Sequence, residues 1–455
     1  MPKQTDITLL EAKSWTQFFP YRSPAKFGGR VVKDVTLLNV SVRVKTRNGK
    51  EATGFGSMPM GNIWAWPSKK LTAEQTLHAM VNFGHNVSKR AVEDLKGQYG
   101  HPLELVYDFA KHYQFIADDD VCSNIAACST VHDTMVKLAQ LVAASPFEAA
   151  VFDAYGRALG QNSYNVLGEE FCNRDLSYYL NSEFKGEYLD QYVLAEPKDR
   201  MPLYHLVGAL DPLDAGEVTK KLDDGLPEDL TEWISYNGLT HLKIKLNGDD
   251  LDWDVNRVLR VDALADTLIK QPVYSADFNE KCENVEYVLE FLRKIEEKAP
   301  KALVRLQYIE QPTNRNLRDY PENKMHKAAA IKPVVIDEAL TDFSTLLFSR
   351  EMGYSGAALK ACKGHTEALL MGAAAQKYKM FLCVQDLTCP GASFLHSATL
   401  SARIPGVSAI EGNGRQYCPA ANKDWEERYP AMFKVTDGTL GTAVLNEPGL
   451  GFSRE

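Results

Sequence analysis

Charged residues at the tips of short apolar runs, set some thirty residues apart between His241 and Lys360, constrain this chain more than any other feature. THLKIKLNG carries Lys243 and Lys245, YSADFNE carries Asp277, LQYIEQP carries Glu310, VVIDEAL carries Asp337 and AALKACKG carries Lys360. Helix-like stretches at 254–270, 283–298, 314–329 and 341–351 separate them. Strand, charged tip and amphipathic helix in repeated order spell a parallel β/α barrel. In such a barrel the C-terminal ends of all strands open on one face, where catalytic groups gather.

Side chains alternate along a strand. His241, Lys243 and Lys245 therefore share one face, and Leu242, Ile244 and Leu246 the other. Leu306, Tyr308 and Glu310 form a similar set, as do Ser275, Asp277 and Asn279. Lysines facing a barrel interior are costly without acidic partners. Three crowded carboxylates repel unless a cation neutralises them. The simplest resolution is a hard divalent metal, Mg²⁺ or Mn²⁺, held by Asp277, Glu310 and Asp337 with lysines around it. Taken singly, each of these residues reads equally well as a strand-end charge in solvent; the ordered set argues for a site.

The rest of the chain narrows the class. Its 455 residues are 45% hydrophobic and 24% charged, an ordinary soluble composition. A net charge of −9 argues against nucleic acid as a partner. No window of eighteen apolar residues occurs and MPKQTDITLL lacks an apolar core, so neither membrane span nor signal peptide is expected and a cytoplasmic location is. Eight cysteines without C-x-x-C spacing read as free thiols in a reducing compartment. Cys362 and Cys383 fall in expected strands as packing residues, and Cys389, beside Pro390, is the one to check for reactivity. Neither G-x-x-x-x-G-K-[ST] nor G-x-G-x-x-G occurs, so nucleotide binding is not indicated.

The expected organisation is α/β: an α+β capping domain over 1–140, a (β/α)8-type barrel over 141–413, and a segment 414–455 that packs back on the cap. In the first part, alternating strands in DITLLEAKSWTQFF, VTLLNVSVRVKT and EATGFGSM precede helices in LTAEQTLHAMVNFGHNVSKRAVEDL and DTMVKLAQLVAA (133–144). SPFEAAVFDAYGRALGQNSYNVLG (145–168) reads as a helix leading into the barrel, and 169–200 matches no element. MPLYHLVGAL (201–210) reads as the first barrel strand, 379–387 as the seventh and 407–413 as the eighth. His396 reads as a packing residue and His365 as the start of the helix after strand six.

K-x-K, D-x-N, E-Q-P, I-D-E and L-K-x-x-K-G, in this order, resemble the enolase superfamily, and its muconate lactonizing enzyme-like branch in particular. The resemblance runs from about Lys26 to about Glu411. It implies a capping domain whose segments 20–30 and 56–70 close the barrel mouth, with Gly28, Gly29 and Gly61 giving them freedom to move. Trp64 and Trp66 then either line the substrate or pack the seam. It implies Lys245 as acid/base on one substrate face, Lys360 on the opposite face, Lys243 on the substrate carboxylate, and Asn279 and Glu338 as supports. Glu411 reads as a substrate contact or a solvated strand end.

The chemistry so implied is removal of a proton α to a carboxylate through an enediolate that a divalent ion stabilises. Lysine, with a pKa near 10.4, needs lowering to act as base, and Lys243 beside Lys245 is expected to supply it. Bases on two faces favour racemisation or epimerisation over cycloisomerisation or dehydration. The chain departs from acid-sugar dehydratases, with Lys360 on strand six and Gln385-Asp386 on strand seven. It departs from dipeptide epimerases with Glu411-Gly412-Asn413 in place of D-x-D. Two other classes stay open: a Schiff-base aldolase on Lys243 or Lys360, which leaves three carboxylates unexplained, and a catalytically silent binding barrel. The expected partners are a small carboxylate substrate and further copies of the chain.

Overall fold

The computed structural model describes residues 2–27, 30–124 and 134–454. Gly28 and Gly29, expected to free the first capping segment, and Cys128 lie outside the described residues. The chain opens with three antiparallel strands, β1 (Ile7–Phe27), β2 (Arg30–Thr46) and β3 (Glu51–Pro59). Alternation of apolar and polar residues gives this sheet one packed face, and helices Ala73–Asp94 and Lys137–Leu159 cover it. The second helix is buried on almost every side and contains Pro146. It lies directly against β3 because Gly54 and Gly56 leave room: a Cβ on either would stand about 2 Å from helix backbone at Ala150 or Pro146.

That helix corrects one expectation. The stretches read as separate helices, around 134–144 and 145–168, are one continuous helix that ends at Gly160 in the left-handed region. It spans the expected boundary at residue 140, packing on the capping sheet and on the helix His365–Lys377 of the barrel.

Eight parallel strands follow: β4 (Arg200–Val207), β5 (His241–Lys245), β6 (Val273–Asp277), β7 (Leu306–Glu310), β8 (Val334–Ile336), β9 (Gly356–Leu359), β10 (Phe381–Val384) and β11 (Ile410–Glu411). Each pairs with the next, and β11 pairs back on β4 at Ile410↔Leu203, which closes the barrel. The helices after β5, β6 and β8 begin where asparagine or aspartate caps them: Asp250, Asn284 and Asp342 each accept an N–H from the first turn. The expected helix 314–329 is instead a 3₁₀ turn (Leu317–Asp319) and one α-turn (His326–Ala329). Pro321 restricts the backbone between them. Region 169–200, unassigned from sequence, forms 3₁₀ turns at Leu176–Tyr178, Ser182–Phe184 and Leu189–Gln191.

Segment 20–27 is a paired arm of a long hairpin, not a free loop. Pairing breaks between Pro20 and Ala25, at the two prolines, and resumes as Ala25↔Val32 and Lys26↔Val31. The arm reaches the barrel, where Arg22 grips Asp224 with two hydrogen bonds at 2.5 and 2.8 Å. The C-terminal segment runs over both parts: Trp425 stacks on Phe55 at 6.2 Å, and β12 (Thr439–Gly441) pairs antiparallel with β4. Among the described residues no helix is long and apolar enough to cross a membrane.

Candidate active site

The barrel strands deliver their tips to one place. In register, Lys245 stands beside Asp277 and Asp277 beside Glu310. Asp337 follows β8 and Lys360 follows β9. Lys243 reaches across the interior to Asp277 (3.2 Å), Glu310 (2.8 Å) and Glu411 (2.7 Å). Lys245 donates to Asp277 (2.5 Å) and to the Asn279 Oδ1 (3.0 Å). Lys360 and Lys363 approach the two oxygens of Asp337, each at 3.0 Å. All six residues picked from the sequence are thus in one cluster, and each is at most 5% exposed. Glu411 is buried and paired, not a solvated strand end. The expected alternation fails at one residue, since Leu306 packs among the helix-facing core while Tyr308 points inward. A register irregularity between Tyr274 and Ser275 accounts for it.

Second-rank positions hold these tips in place. Gln311, forced to a φ of +28°, accepts the N–H groups of Asp337 and Ala339 on its side-chain oxygen. Gln385 donates to Glu310. Asn279 donates to Glu338 (3.2 Å), and the Trp64 indole N–H donates to the same carboxylate oxygen (3.0 Å). The Trp64 ring covers Lys360, whose Nζ lies 4.7 Å from the ring centre. Trp64 therefore faces the site, while Trp66, 2% exposed, packs in the core. At Gly61 the Leu387 side chain packs close, 2.5 Å from where a Cβ would stand. Lys363 and Gln385 were given no role from sequence. The spacing of Lys363 three residues after Lys360 hid its role until the 3₁₀ turn Ala361–Lys363 was seen to bring the two onto one side.

Electrostatics are dominated by burial and by the mismatch of charges. Six carboxyls (Asp277, Glu310, Asp337, Glu338, Asp386 and Glu411) face four ammonium groups, and all are buried. Burial works to raise Asp277, yet Lys245 and Lys243 outweigh it and hold its pKa low; Lys360 and Lys363 do the same for Asp337. Glu310 is pushed far up by burial and by Asp277. Glu338 rises to about 7 through burial and Asp337, and Asp386 to about 7 through burial and Glu411. One expectation is reversed: burial alone would lower Lys243 and Lys360, but the carboxylates around them win and both are raised. Cys389, the cysteine to check for reactivity, is 1% exposed, and burial with Asp386 nearby pushes its pKa well up, away from a reactive thiolate.

The donor set fits a hard divalent cation in kind and charge. The carboxyls outnumber the ammonium groups by two, and the donors are all oxygen. Unpartnered buried acceptors also concentrate here: both oxygens of Asp337 lack an aligned hydrogen-bond donor, as do Glu338 Oε2, Gln385 Oε1 and Asn413 Oδ1. As arranged, no three acidic, cysteine or histidine side chains among the described residues enclose an ion, because the ammonium groups of Lys243 and Lys360 stand between them. A cavity of about 140 Å³ bordered by Lys26, Asn247 and Asn279 reaches Lys245. Another, about 430 Å³, bordered by Lys137, Arg315 and Thr341, reaches Glu338.

Comparison with known proteins agrees with this architecture. The family model described as "Enolase C-terminal domain-like" matches residues 226–454. Among solved structures, the dipeptide epimerase of Enterococcus faecalis, complexed with Mg and L-Leu-L-Tyr, superposes with a TM-score of 0.64 at 13% identity, covering 98% of this chain and 100% of that one. The L-Ala-D/L-Glu epimerase of Bacillus subtilis gives 0.62 at 16% identity, covering 98% of each chain. The muconate lactonizing enzyme of Pseudomonas fluorescens, complexed with muconolactone, gives 0.58 at 17%, covering 98% and 97%. Among curated proteins there is no match. At these identities the likeness speaks to the fold alone.

Proposed function

Since the chain belongs to the enolase C-terminal domain-like family, of the mandelate racemase/muconate lactonizing enzyme kind, we propose that it removes the α-proton of a carboxylate substrate and returns it on the opposite face. One observation carries this reading. Lys245 and Lys360 end β5 and β9, four strands apart in a ring of eight, and the three strands between them end in Asp277, Glu310 and Asp337. A substrate carboxylate placed at those three residues presents one face of its α-carbon to each lysine.

Asp277, Glu310 and Asp337 are the residues that would hold a divalent cation, most simply Mg²⁺. When bound, that ion supplies positive charge to the carboxylate oxygens as the α-proton leaves, which is the interaction that lowers the barrier. Lys245 or Lys360 takes the proton, depending on the enantiomer, and the other returns one. A lysine acting as base must first lose its own proton, which for Lys360 the neighbouring Asp337 opposes in the arrangement seen. A cation held by that carboxylate would offset the opposition. Lys243, paired with Glu310 and Glu411, orients the substrate carboxylate. Asn279, Glu338 and Trp64 keep the two lysines in place. Free, buried cysteines at six positions support a cytoplasmic setting.

Cycloisomerisation and dehydration begin with the same proton abstraction, so the outcome needs its own test. In D₂O, with a carboxylate identified by library screening for exchange, Lys360→Ala should retain α-deuterium exchange on one enantiomer and Lys245→Ala on the other, with neither interconverting them. Loss of exchange on the same enantiomer in both variants, or departure of a β-leaving group, rules out the two-base reading.

A further inference from the structure

Two consecutive residues after β6 hold backbone conformations that side chains seldom adopt. Asn279 has φ +45° and Glu280 φ +63°. Asparagine tolerates this region through its short polar side chain, but glutamate has no such excuse. What holds Glu280 is Arg315. The guanidinium meets the carboxylate with two hydrogen bonds, each 2.7 Å, and the Arg315 backbone N–H adds a third at 3.0 Å. The pair is mostly buried, with side chains about 16% and 15% exposed.

The same guanidinium reaches into the capping domain. It donates to the carbonyl oxygens of Trp64 (3.0 Å) and Ala65 (3.4 Å), at the end of the one-turn helix Asn62–Ala65. Trp64 in turn donates to Glu338 and lays its ring on Lys360 and Lys363, whose Nζ atoms are 4.7 and 5.6 Å from the ring centre. Neither Arg315 nor Glu280 touches a lysine or carboxylate of the central cluster. Glu338 feels the charge of both at longer range, and their bonded reach to the cluster runs through the backbone of Trp64 on one side and through Asn279 on the other.

We propose that Arg315 is a positioning residue: forked onto Glu280, it latches segment 61–66 of the capping domain to the barrel and so seats Trp64 over Lys360. Only a planar, multiply donating cation spans a carboxylate and two carbonyls at once. The consequence is one-sided. Lys360 and Lys363 lie under the latched indole, whereas Lys243 is held by Asp277, Glu310 and Glu411 on the far strands. The importance of Lys360 rests on the function proposed above; the latch itself does not.

The test needs no substrate. Arg315→Met, Arg315→Lys and Glu280→Gln are compared with the native protein by hydrogen exchange and by acylation with the N-hydroxysuccinimide ester of acetic acid, read by peptide mass. In Arg315→Met the amides of 62–66 should exchange at least about tenfold faster, and Lys360 and Lys363 should acylate faster by a similar factor, while Lys243 changes little. Arg315→Lys should fall between, because an ammonium keeps the charge on Glu280 without bridging both carbonyls. Glu280→Gln should shift the same segment in the same direction. Unchanged exchange at 62–66 in both Arg315→Met and Glu280→Gln overturns the proposal, and so does acceleration spread evenly through capping domain and barrel. Mg²⁺ titration by calorimetry tests the metal reading separately, since a native protein that binds no Mg²⁺ defeats that reading and leaves the exchange result to judge the latch.

Discussion

Two layers of the same barrel, one residue pair apart along each strand, have opposite chemistry. The lower layer is Tyr204, Tyr308, Val335, Ala358, Cys383 and Ala409, an apolar plug with Tyr204 and Tyr308 ring centres 6.0 Å apart. Two positions further on, five of these six runs reach Glu310, Asp337, Lys360, Gln385 and Glu411, and the one from Tyr204 reaches the apolar Leu206. Both layers are buried to a similar degree. The lower layer is filled by shape, and what it excludes from water stabilises the fold. The upper layer is filled by charges that burial penalises, tolerated because ammonium and carboxylate groups face one another. A barrel interior thus divides along its own axis into a part that holds the structure and a part held by it.

Breaking the upper layer should cost activity and spare the fold. Asp337→Asn is expected to lower α-proton exchange on both enantiomers, and Lys360→Ala to lower their interconversion, by at least about 10³-fold, with a thermal midpoint near native; a comparable loss of stability would erase the distinction between layers. Breaking the lower layer should do the reverse. Tyr308→Ala, which opens a cavity beneath the site, is expected to cost about 3–5 kcal/mol by denaturant unfolding.

A buried carboxyl outside the ring sharpens the contrast. Glu148, on the helix between cap and barrel, is 1% exposed and accepts the N–H of Thr366 at the start of helix His365–Lys377. Among the described residues the cation acting on it is Lys137, Tyr113 donates weakly, and Glu367 adds negative charge nearby. Burial pushes its pKa up to about 7 from the usual 4.5. An acid raised in the folded state stabilises below its unfolded pKa, and that contribution is lost as pH rises toward the folded value. Native stability should therefore fall by about 2–3 kcal/mol between pH 5 and pH 8 on this account, and Glu148→Gln should flatten the slope in a series of thermal melts.

The smallest effect expected is also the most discriminating. Glu310, raised by burial and by its acidic neighbours, is a carboxylate the metal-free protein tolerates poorly. Glu310→Gln should weaken Mg²⁺ binding yet leave metal-free stability equal or higher by about 1 kcal/mol. A clear loss of stability without metal would mean that Lys243 depends on Glu310 more than on Asp277 and Glu411.

Much of this was legible in the chain because it depends on local rules. The two-residue period of strands put Lys243 with Lys245 and Tyr308 with Glu310, and repeated strand tips placed Asp277, Glu310, Asp337 and Lys360 around one ring. The helix starts at Asp250, Asn284 and Asp342 follow from capping chemistry within a few residues. What escaped was decided by partners far along the chain. Trp64 and Trp66 look alike in sequence, but Trp64 lies on the turn Asn62–Ala65 and Trp66 just past it, and only the docking of the cap says which of them meets the site. The hairpin arm 20–27 reads as a proline-broken loop until β2 is seen pairing with it. The helix at 137–159 reads as two because its period is hidden when every face is buried.

The sequence by itself determined the order of chemical groups around the barrel, because strand periodicity and β/α repetition act over tens of residues at most. The tertiary structure alone decided their protonation and their company. Whether Lys360 is raised or lowered depends on its burial and on Asp337 at 3.0 Å, with Lys243, Glu310 and Glu411 beyond. Coulomb energy and desolvation are set by distance and burial in space, and neither is a property of neighbouring letters.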